Sequence, residues 1–259
     1  MIIDFHAHIF PEKIAAKAVG ATGSYYGIEM SCEGTVDDLT RRMASAGIDR
    51  TLVHSTATKP EQVRAVNDFI YENCALHPEF IGFGTLHPGM DGLEEEVERV
   101  IGMGLHGIKL HADFQNFRLD DPDVLYMYDA IRGRLPLLLH MGDINTDKTT
   151  PARLLNVIGQ FPDLTVIGAH FSGYSVWDEA VERLSGSGIY VDTSSSLPFM
   201  TPEFGRRLVE AFGVEKCLFG TDYPMWEPSE ELERFHRLEL GQDAERLILS
   251  ENARKLLNI

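Results

Sequence analysis

The stretch from Met1 to Phe10, MIIDFHAHIF, decides how the rest of the chain is interpreted. Its apolar and β-branched residues predict a strand. Successive side chains of a strand alternate between faces, so Asp4, His6 and His8 are expected to project together. Two imidazoles on one face can bind one metal ion, with Asp4 as a candidate partner beneath them. Because a His-x-His pair also arises by chance, the prediction depends on where the other histidines fall.

The composition is that of a globular protein with an ample core. The chain has 259 residues, of which 44% are hydrophobic and 24% are charged, so one large domain is expected. The formal charge of −17 opposes binding to nucleic acid and to anionic membranes. The charge says little about the substrate itself; a small molecule is the expected partner, and a homodimer is an open alternative to a monomer.

Three cysteines, Cys32, Cys74 and Cys217, are widely spaced and form no C-x-x-C motif. Neither a disulfide framework nor a thiolate zinc site is indicated. The first residues lack the basic region of a signal peptide, and no apolar run approaches the length that spans a membrane. We therefore expect a reduced, cytoplasmic protein.

Short apolar segments alternate with amphipathic helical segments along the chain. After the first strand, seven further strands are predicted at 50–55, 80–87, 107–111, 135–140, 165–170, 189–193 and 217–222. The predicted helices lie at 35–47, 60–77, 93–103, 122–134, 151–161, 175–184, 202–212, 230–240 and 243–257. Eight such units at this length indicate an α/β protein, a closed (β/α)8 TIM barrel in a single domain covering residues 1–259. No glycine-rich nucleotide turn follows the first strand, which argues against an open doubly wound sheet.

One segment does not fit this alternation. Residues 11–34 are predicted to be irregular, because they contain several glycines and the pair Tyr25-Tyr26. The segment is longer than a plain connection, which favours a functional loop or lid. We therefore expect it to fold over the mouth of the barrel, with Tyr25 or Tyr26 touching the substrate.

Seven of the ten histidines fall at or just past the C-terminal end of a predicted strand: His6, His8, His54, His87, His111, His140 and His170. In a barrel these ends converge on one mouth, where active sites are built. Since one mouth cannot use every histidine as a ligand, His54 and His87 are equally compatible with structural roles. Asp222 ends the otherwise apolar eighth strand, and a carboxylate there should be paired or bound to metal.

The combined pattern resembles the amidohydrolase superfamily. The matching elements are the pair His6-Ala7-His8, His140 after strand five, His170 after strand six and the segment GTDYP, residues 220–224, after strand eight. The nearer resemblance is to the amidohydrolase-related branch that includes aminocarboxymuconate semialdehyde decarboxylase, resorcylate-type decarboxylases and pyrone dicarboxylate lactonase. The closing segment ILSENARKLL, residues 248–257, is similar to the C-terminal helix of that branch. The resemblance spans the whole chain in order.

The resemblance implies a divalent metal ion held by His6, His8, His140 and Asp222. Imidazole and carboxylate ligands favour Zn²⁺, with Mn²⁺ or another divalent ion as alternatives. His170 would lie beside the ion as a polarising or proton-transferring group. In such a site the ion lowers the pKa of water, Asp222 accepts its proton, and His170 stabilises developing negative charge.

Lys109 leaves two arrangements open. The alternation in strand four places Lys109 on the inner face, where a lysine is costly unless it is paired or modified. In several branches of the superfamily a strand-four lysine is carboxylated and bridges two metals, with the strand-six histidine as a ligand. The nearer branch usually has one metal. On that resemblance we predict an unmodified, catalytic Lys109 beside a single ion, with the carboxylated two-metal site as the alternative.

The residues that follow the strands predict a mostly apolar pocket with few polar anchors. They are Phe114, Phe117, Met141, Phe171, Tyr174, Phe199, Met200, Met225 and Trp226. Ordinary loop packing is the alternative for these residues. Arg118 and Lys148 are the candidates for holding a substrate carboxylate, with a solvated surface role as the alternative for both.

Three functions are compatible with this pattern. The first is a metal-dependent hydrolase of a C–O or C–N bond in a small, carboxylate-bearing molecule, with Asp222 and His170 in proton transfer. The second is a non-hydrolytic decarboxylase of a small aromatic or unsaturated acid that uses the same ion. The third is a catalytically silent metal- or metabolite-binding barrel, and the intact His170 and Asp222 argue against it. The compact chain favours hydrolysis, although a fold by itself does not determine the chemistry.

Overall fold

The computed structural model describes residues 1–259 and contains eight parallel strands. They are β1 (Ile3–His8), β2 (Arg50–His54), β3 (Phe80–Thr85), β4 (Gly107–Leu110), β5 (Leu137–Leu139), β6 (Val166–Gly168), β7 (Tyr190–Asp192) and β8 (Cys217–Leu218). Each strand pairs with the next in sequence order. The N–H groups of Phe5 and His8 donate to the carbonyls of Phe219 and Tyr223, which brings the end of β8 against β1. The predicted single-domain (β/α)8 TIM barrel is confirmed.

Helices connect the strands and cover the outside of the barrel. They are α1 (Glu12–Tyr26), α2 (Val36–Ala46), α3 (Val63–Leu76), α4 (Leu93–Gly102), α5 (Ala112–Gln115), α6 (Leu125–Ile131), α7 (Pro151–Gln160), α8 (Trp177–Leu184), α9 (Pro202–Phe212), α10 (Pro228–His236), α11 (Gln242–Arg246) and α12 (Asn252–Leu257). Single 3₁₀ turns occupy Pro60–Gln62, Pro122–Val124, His170–Ser172, Leu197–Phe199 and Val214–Lys216. A π-helical turn, Leu247–Glu251, joins α11 to α12.

The apolar core has two parts. A cluster of ten buried residues fills the barrel and includes Phe5 and Phe83, whose rings meet edge to face at 6.0 Å. A cluster of 48 buried residues lies between the barrel and the helices. Along β5, Leu138 belongs to the inner cluster and its neighbours Leu137 and Leu139 to the outer one, as the period of a strand requires. The packed interior leaves the C-terminal strand ends as the place where polar groups converge.

The prediction of an irregular segment at residues 11–34 is wrong for most of its length. Glu12–Tyr26 forms α1, which ends at Gly27 in the left-handed conformation, with φ 66°. Gly23 allows close packing, because a Cβ atom there would lie 2.7 Å from the carbonyl oxygen of Ile28. The low helix propensity of glycine favoured a loop, and tertiary packing of the helix overrides that preference.

The chain turns sharply at the mouth, where several strands are shorter than predicted. β6 ends at Gly168, and His170, Phe171 and Ser172 all have positive φ angles, of 60°, 50° and 58°. β8 ends at Leu218 instead of continuing to Asp222, which has a φ of 60°. Residues other than glycine rarely adopt this conformation, and those that do concentrate at functional sites.

None of the helices is both long enough and apolar enough to cross a membrane. The three cysteines are free; Cys32 and Cys217 are buried and Cys74 is partly buried. Apolar packing and hydrogen bonds therefore hold the fold together without cross-links.

Candidate active site

Polar side chains converge at the C-terminal ends of the strands. His6 and His8 come from β1, and Lys109 comes from β4. The segments that follow β5, β6 and β8 supply His140, His170 and Asp222. All of these residues are buried except His8, which is partly exposed. Because an unpaired polar group is costly in such surroundings, the contacts of each group indicate what it does there.

Asp222 lies between the two histidines of β1. Its Oδ1 is 3.4 Å from Nε2 of His6 and 3.3 Å from Nε2 of His8. Its Oδ2 accepts a hydrogen bond from the hydroxyl of Ser195. Burial raises the pKa of the Asp222 carboxyl, but His6 and the hydrogen bond from His8 outweigh burial and hold that pKa well below its usual range. Asp222 is therefore a carboxylate with one oxygen facing two imidazoles.

The partners of His6 determine its tautomer. Its Nδ1 lies 2.8 Å from Oδ2 of Asp192. Burial raises the pKa of Asp192, yet His6 and the hydroxyl of Ser194 lower it to about 2, so this carboxylate only accepts hydrogen bonds. The proton of the His6 ring is therefore on Nδ1. Burial, assisted by Lys109, lowers the pKa of His6 to about 4, which leaves a neutral ring whose Nε2 lone pair faces Asp222.

A chain of hydrogen bonds connects His170, His140 and His111 through Tyr26 of α1. Nδ1 of His170 lies 2.9 Å from the carbonyl oxygen of Ser194, so it carries a proton, and Nε2 of His170 accepts from Nδ1 of His140 at 3.0 Å. Nε2 of His140 then accepts from the hydroxyl of Tyr26 at 3.3 Å. The Tyr26 oxygen in turn accepts from Nε2 of His111 at 3.1 Å. These partners direct the lone pair of His140 at Tyr26.

Three groups of side chains could each hold a metal ion, because their ligand atoms lie within 4.8 Å of one another: His6–His170–Asp222, His6–His8–His54 and His111–Asp113–His140. The first two groups share His6. Of the four ligands that the resemblance implies, the structure places His6 and His8 each beside Asp222, although these three residues do not themselves form one of the three groups. It places His140 in the third group, where its Nδ1 contacts His170.

The donor atoms around Asp222 fit a divalent ion. Zinc ligands lie about 2.0–2.2 Å from the ion, which places two ligands of a tetrahedral site about 3.4 Å apart. The distances of 3.4 and 3.3 Å from Asp222 to the Nε2 atoms of His6 and His8 match that separation. A neutral imidazole and a carboxylate are also ligand types that zinc and manganese accept. His6, His8 and Asp222 therefore fit the ion that the resemblance implies, whereas the lone pair of His140 faces Tyr26.

Lys109 points into the barrel, as the alternation in β4 predicts. Its side chain is fully buried, and its Nζ lies 3.3 Å from Nε2 of His6. Burial lowers the pKa of Lys109 to about 8, against the effect of the carboxylates of Asp192 and Asp222. The amine therefore lies next to the candidate ligands, while its catalytic role and its modification stay predictions.

Asp4 lies outside the candidate metal site. Its Oδ1 accepts from the N–H groups of His6 and Thr221 at 3.0 and 2.9 Å, and its Oδ2 accepts from the Thr221 hydroxyl at 2.6 Å. The pairing of β1 with β2 shifts in register between Asp4 and Ala7, which interrupts the alternation expected along β1. Asp4 therefore fastens β1 to the turn that carries Asp222.

Aromatic rings surround the mouth. Tyr26 packs against Phe114 and Tyr174, with ring centroids 6.1 and 5.5 Å apart. Phe199 lies between Tyr174 and Trp226, at 5.8 and 5.6 Å. Tyr26 is supplied by α1, so the segment that the sequence predicts as a lid does reach the mouth, although it is helical. Its contact with substrate stays a prediction.

Part of the predicted pocket is core packing. The large outer cluster contains Phe117, Met141 and Phe171 and contacts Met200. Met225 is also buried, with its sulfur 3.2 Å from the hydroxyl of Ser195. Arg118 forms an ion pair with Asp147 at 3.0 Å, and half of its side chain is exposed. These contacts favour a solvated surface role for Arg118 over binding of a substrate carboxylate. Lys148 is partly exposed.

Sequence reasoning missed two residues that position the histidines. Asp192 is a carboxylate in the apolar strand β7, so the argument that identified Asp222 in strand eight applies to it equally. Ser194 bonds His6 and His170 through its hydroxyl, at 3.1 and 2.9 Å. It lies in a run of three serines, and nothing in the sequence separates it from its neighbours.

A family model described as amidohydrolase matches residues 3–259. The chain belongs to the amidohydrolase family of enzymes, as the histidine pattern and residues 220–224 predicted. A search of curated protein sequences found no significant match.

Solved structures with this fold include three from bacteria. The 5-carboxyvanillate decarboxylase of Sphingomonas paucimobilis has a TM-score of 0.77 at 16% identity, covering 100% of this chain and 99% of that one. The dihydroxybenzoic acid decarboxylase of Polaromonas, with bound manganese and the inhibitor 2-nitroresorcinol, has a TM-score of 0.78 at 18% identity, covering 99% and 96%. A Pseudomonas putida protein proposed to be a 2-pyrone-4,6-dicarboxylic acid hydrolase has 0.71 at 18% identity, covering 99% and 97%. At such identities these similarities establish the fold.

Proposed function

We propose that the protein is a metal-dependent hydrolase of a small molecule that carries a carboxylate. The observation that carries the proposal is that one oxygen of Asp222 lies 3.4 and 3.3 Å from Nε2 of His6 and of His8. A carboxylate oxygen at these distances from two imidazole nitrogens has the spacing of two neighbouring ligands on one divalent ion. When bound, that ion supplies Lewis-acid chemistry: it polarises a substrate oxygen and lowers the pKa of water.

His6, His8 and Asp222 are the proposed ligands, and His140 is the fourth. The lone pair of His140 is held by the Tyr26 hydroxyl at 3.3 Å, so its use as a ligand requires Tyr26 to move. The neutral imidazoles favour Zn²⁺. Mn²⁺ is the alternative, supported by the manganese bound to the dihydroxybenzoic acid decarboxylase of Polaromonas.

Asp222 and His170 are the proposed proton-transfer groups. Asp222 is ionised, so it can accept a proton from water and return it to the leaving group. His170 Nδ1 lies 4.0 Å from Oδ2 of Asp222, and its two ring nitrogens are held by Ser194 and His140. The ring is therefore oriented before substrate enters, and it can stabilise developing negative charge once its Nε2 exchanges the bond to His140 for a proton of its own.

Lys109 is proposed to be unmodified and to attract the substrate carboxylate. Its Nζ lies beside Nε2 of His6, at the edge of the proposed metal site. An ammonium group there favours an anionic substrate group and opposes a second cation, so we propose a single ion. A carboxylated Lys109 would instead be an anion that supports two ions.

Decarboxylation of a small aromatic acid is the second candidate. The rim of Tyr26, Phe114, Tyr174, Phe199 and Trp226 offers flat surfaces on which an aromatic ring can stack. Two of the structurally similar proteins are decarboxylases of aromatic acids. In that reaction the same proton-transfer groups would deliver a proton to the ring carbon that loses carbon dioxide.

One isotope experiment tests both candidates. The zinc- or manganese-loaded protein is incubated with lactones, amides and hydroxylated aromatic acids in ¹⁸O-labelled water. Hydrolysis places one ¹⁸O atom in the product carboxylate, whereas decarboxylation yields carbon dioxide and a product that has lost a carboxylate. The proposal expects ¹⁸O incorporation that disappears in Asp222→Asn. Release of carbon dioxide without ¹⁸O in the organic product would establish the second candidate.

The proposed setting is the reducing cytoplasm, with a small-molecule substrate and neither nucleic acid nor membrane as partner. The three free cysteines and the net charge of −17 support this proposal. A homodimer stays an open alternative, to be tested by sedimentation.

A further inference from the structure

His54 differs from the other strand-end histidines in its hydrogen bonding. It is the last residue of β2 and is fully buried, yet neither Nδ1 nor Nε2 has a hydrogen-bond partner. In contrast, Nδ1 of His87 accepts from the N–H group of Gly89 at 3.0 Å. Both ring nitrogens of His140 and of His170 are also bonded. An unsatisfied buried imidazole opposes folding, so a partner that the protein itself does not supply is expected.

The place of His54 in the sheet points to that partner. His54 lies opposite His8 in the parallel pairing of β2 with β1. Its ring meets the rings of His8 and His6 edge to face, with centroids 4.4 and 4.8 Å apart. One ring nitrogen from each of these three histidines lies within 4.8 Å of the other two. Two residues of this trio already face Asp222.

We propose that His54 is an additional imidazole ligand of the divalent ion, beside His6 and His8. This inference rests on the proposed metal site. It adds a ligand from β2 to the ligands supplied by β1 and by the segment after β8. The ion would take the lone pair of one orphaned nitrogen. The ring packs against His6 and His8, and one of its nitrogens lies within 4.8 Å of a ring nitrogen of each.

The test compares metal affinity in His54→Phe with that in the matched control His87→Phe. Phenylalanine keeps an aromatic ring in the core and removes both nitrogens. His87 also follows a strand end but bonds to the backbone and lies outside the histidine trio. Affinity is measured with Co²⁺ and Zn²⁺ by competition with a chelator, and the visible absorption of bound Co²⁺ reports its coordination.

Loss of a direct ligand should reduce affinity by more than the roughly 10–100-fold that loss of an outer partner causes. His54→Phe is therefore expected to bind Co²⁺ at least about 100-fold more weakly, with an altered spectrum, while His87→Phe binds as the wild type does. The metal-free His54→Phe protein should melt no lower than the wild type, because an unsatisfied polar group has been removed. His54→Gln provides a second variant if the phenylalanine does not fit.

Wild-type affinity and an unchanged Co²⁺ spectrum in both His54 variants would overturn the inference while leaving the proposed hydrolase intact. A wild-type protein that binds neither Co²⁺ nor Zn²⁺ would instead overturn the proposed metal site, and His54 with it. The two failures are therefore distinguishable in one set of titrations.

Discussion

At the residue scale, the candidate site depends on which nitrogen of each histidine carries the proton. Asp192 accepts the proton of His6 Nδ1 at 2.8 Å, and this leaves the Nε2 lone pair facing Asp222 and the Lys109 amine, at 3.4 and 3.3 Å. The same reasoning assigns the His140 lone pair to the Tyr26 hydroxyl. His6 thus presents a lone pair that can bind an ion, whereas the lone pair of His140 accepts a hydrogen bond from Tyr26 of α1.

Replacing Asp192 should weaken metal binding without unfolding the barrel. In Asp192→Asn the carboxylate that holds the Nδ1 proton of His6 is lost, so the ring can adopt the other tautomer. We expect metal affinity to fall by about 10–100-fold, as for other partners of metal-binding histidines. A chelator competition measures this, with Asp178→Asn, a surface carboxylate paired with Arg207, as the control. Equal affinities in both variants would show that Asp192 does not orient His6.

At the element scale, α1 brings Tyr26 to the mouth, and its two interior glycines differ in their surroundings. A Cβ on Gly23 would lie 2.7 Å from the Ile28 carbonyl oxygen and 3.0 Å from Cγ of Met30. A Cβ on Gly20 would meet nothing within 4 Å. The helix therefore needs glycine only where the returning chain packs against it.

The pair Gly20→Ala and Gly23→Ala tests this account of α1. Gly20→Ala should stabilise the protein by about 0.5–1 kcal/mol through helix propensity, with activity unchanged. Gly23→Ala should destabilise the protein and lower kcat/KM, because the end of the helix and Tyr26 must move. Urea unfolding and steady-state kinetics measure both effects. If Gly23→Ala resembles Gly20→Ala, then the close approach at Ile28 does not position Tyr26.

The helices α1 and α2 differ in how well the sequence predicts them. The bounds of α2 follow from local signals: Thr35 accepts from the N–H of Asp38, and Gly47 has the left-handed conformation. In α1, Gly23 is needed where the chain returns at Ile28 and Met30 to pack against the helix, and helix propensity alone does not contain that contact. The left-handed backbone of His170 and Asp222 likewise depends on tertiary packing, so their predicted strands extended too far.

At the scale of the whole molecule, the barrel and its mouth could be predicted because the strand ends of a parallel barrel must converge. The grouping of histidines into separate clusters could not be predicted, because it depends on the side chains that neighbouring strands and α1 bring to each ring.

The buried carboxyl groups are a second property of the whole fold. Glu231 of α10 is fully buried, with Oε1 2.5 Å from Arg234 and Oε2 without a partner.

This buried carboxyl should make stability depend on pH. Burial raises the pKa of Glu231 from 4.5 to about 8, against the effect of Arg234 and with added repulsion from Asp222 and Asp4. Between these values the folded protein keeps a proton that the unfolded chain has released, so stability falls as pH rises, by at most about 1.4 kcal/mol per pH unit. In Glu231→Gln, the free energy of unfolding measured in urea should fall less steeply between about pH 5 and pH 8 than in the wild type.

The control for this pH prediction is Glu233→Gln, because Glu233 lies two residues away and is largely exposed. In Glu233→Gln the free energy of unfolding should fall with pH as steeply as in the wild type. The same slope in Glu231→Gln and in the wild type would mean that Glu231 is ionised in the folded protein.

We propose that one divalent ion is held by His6, His8 and Asp222 at the mouth of the barrel, beside an unmodified Lys109. The most direct measurement is an anomalous-scattering map from crystals loaded with zinc or manganese. We expect a single peak within bonding distance of Nε2 of His6, Nε2 of His8 and Oδ1 of Asp222. The Lys109 amine should carry no added density. Absence of a peak at these atoms, or two peaks bridged by a carboxylated Lys109, would contradict this proposal.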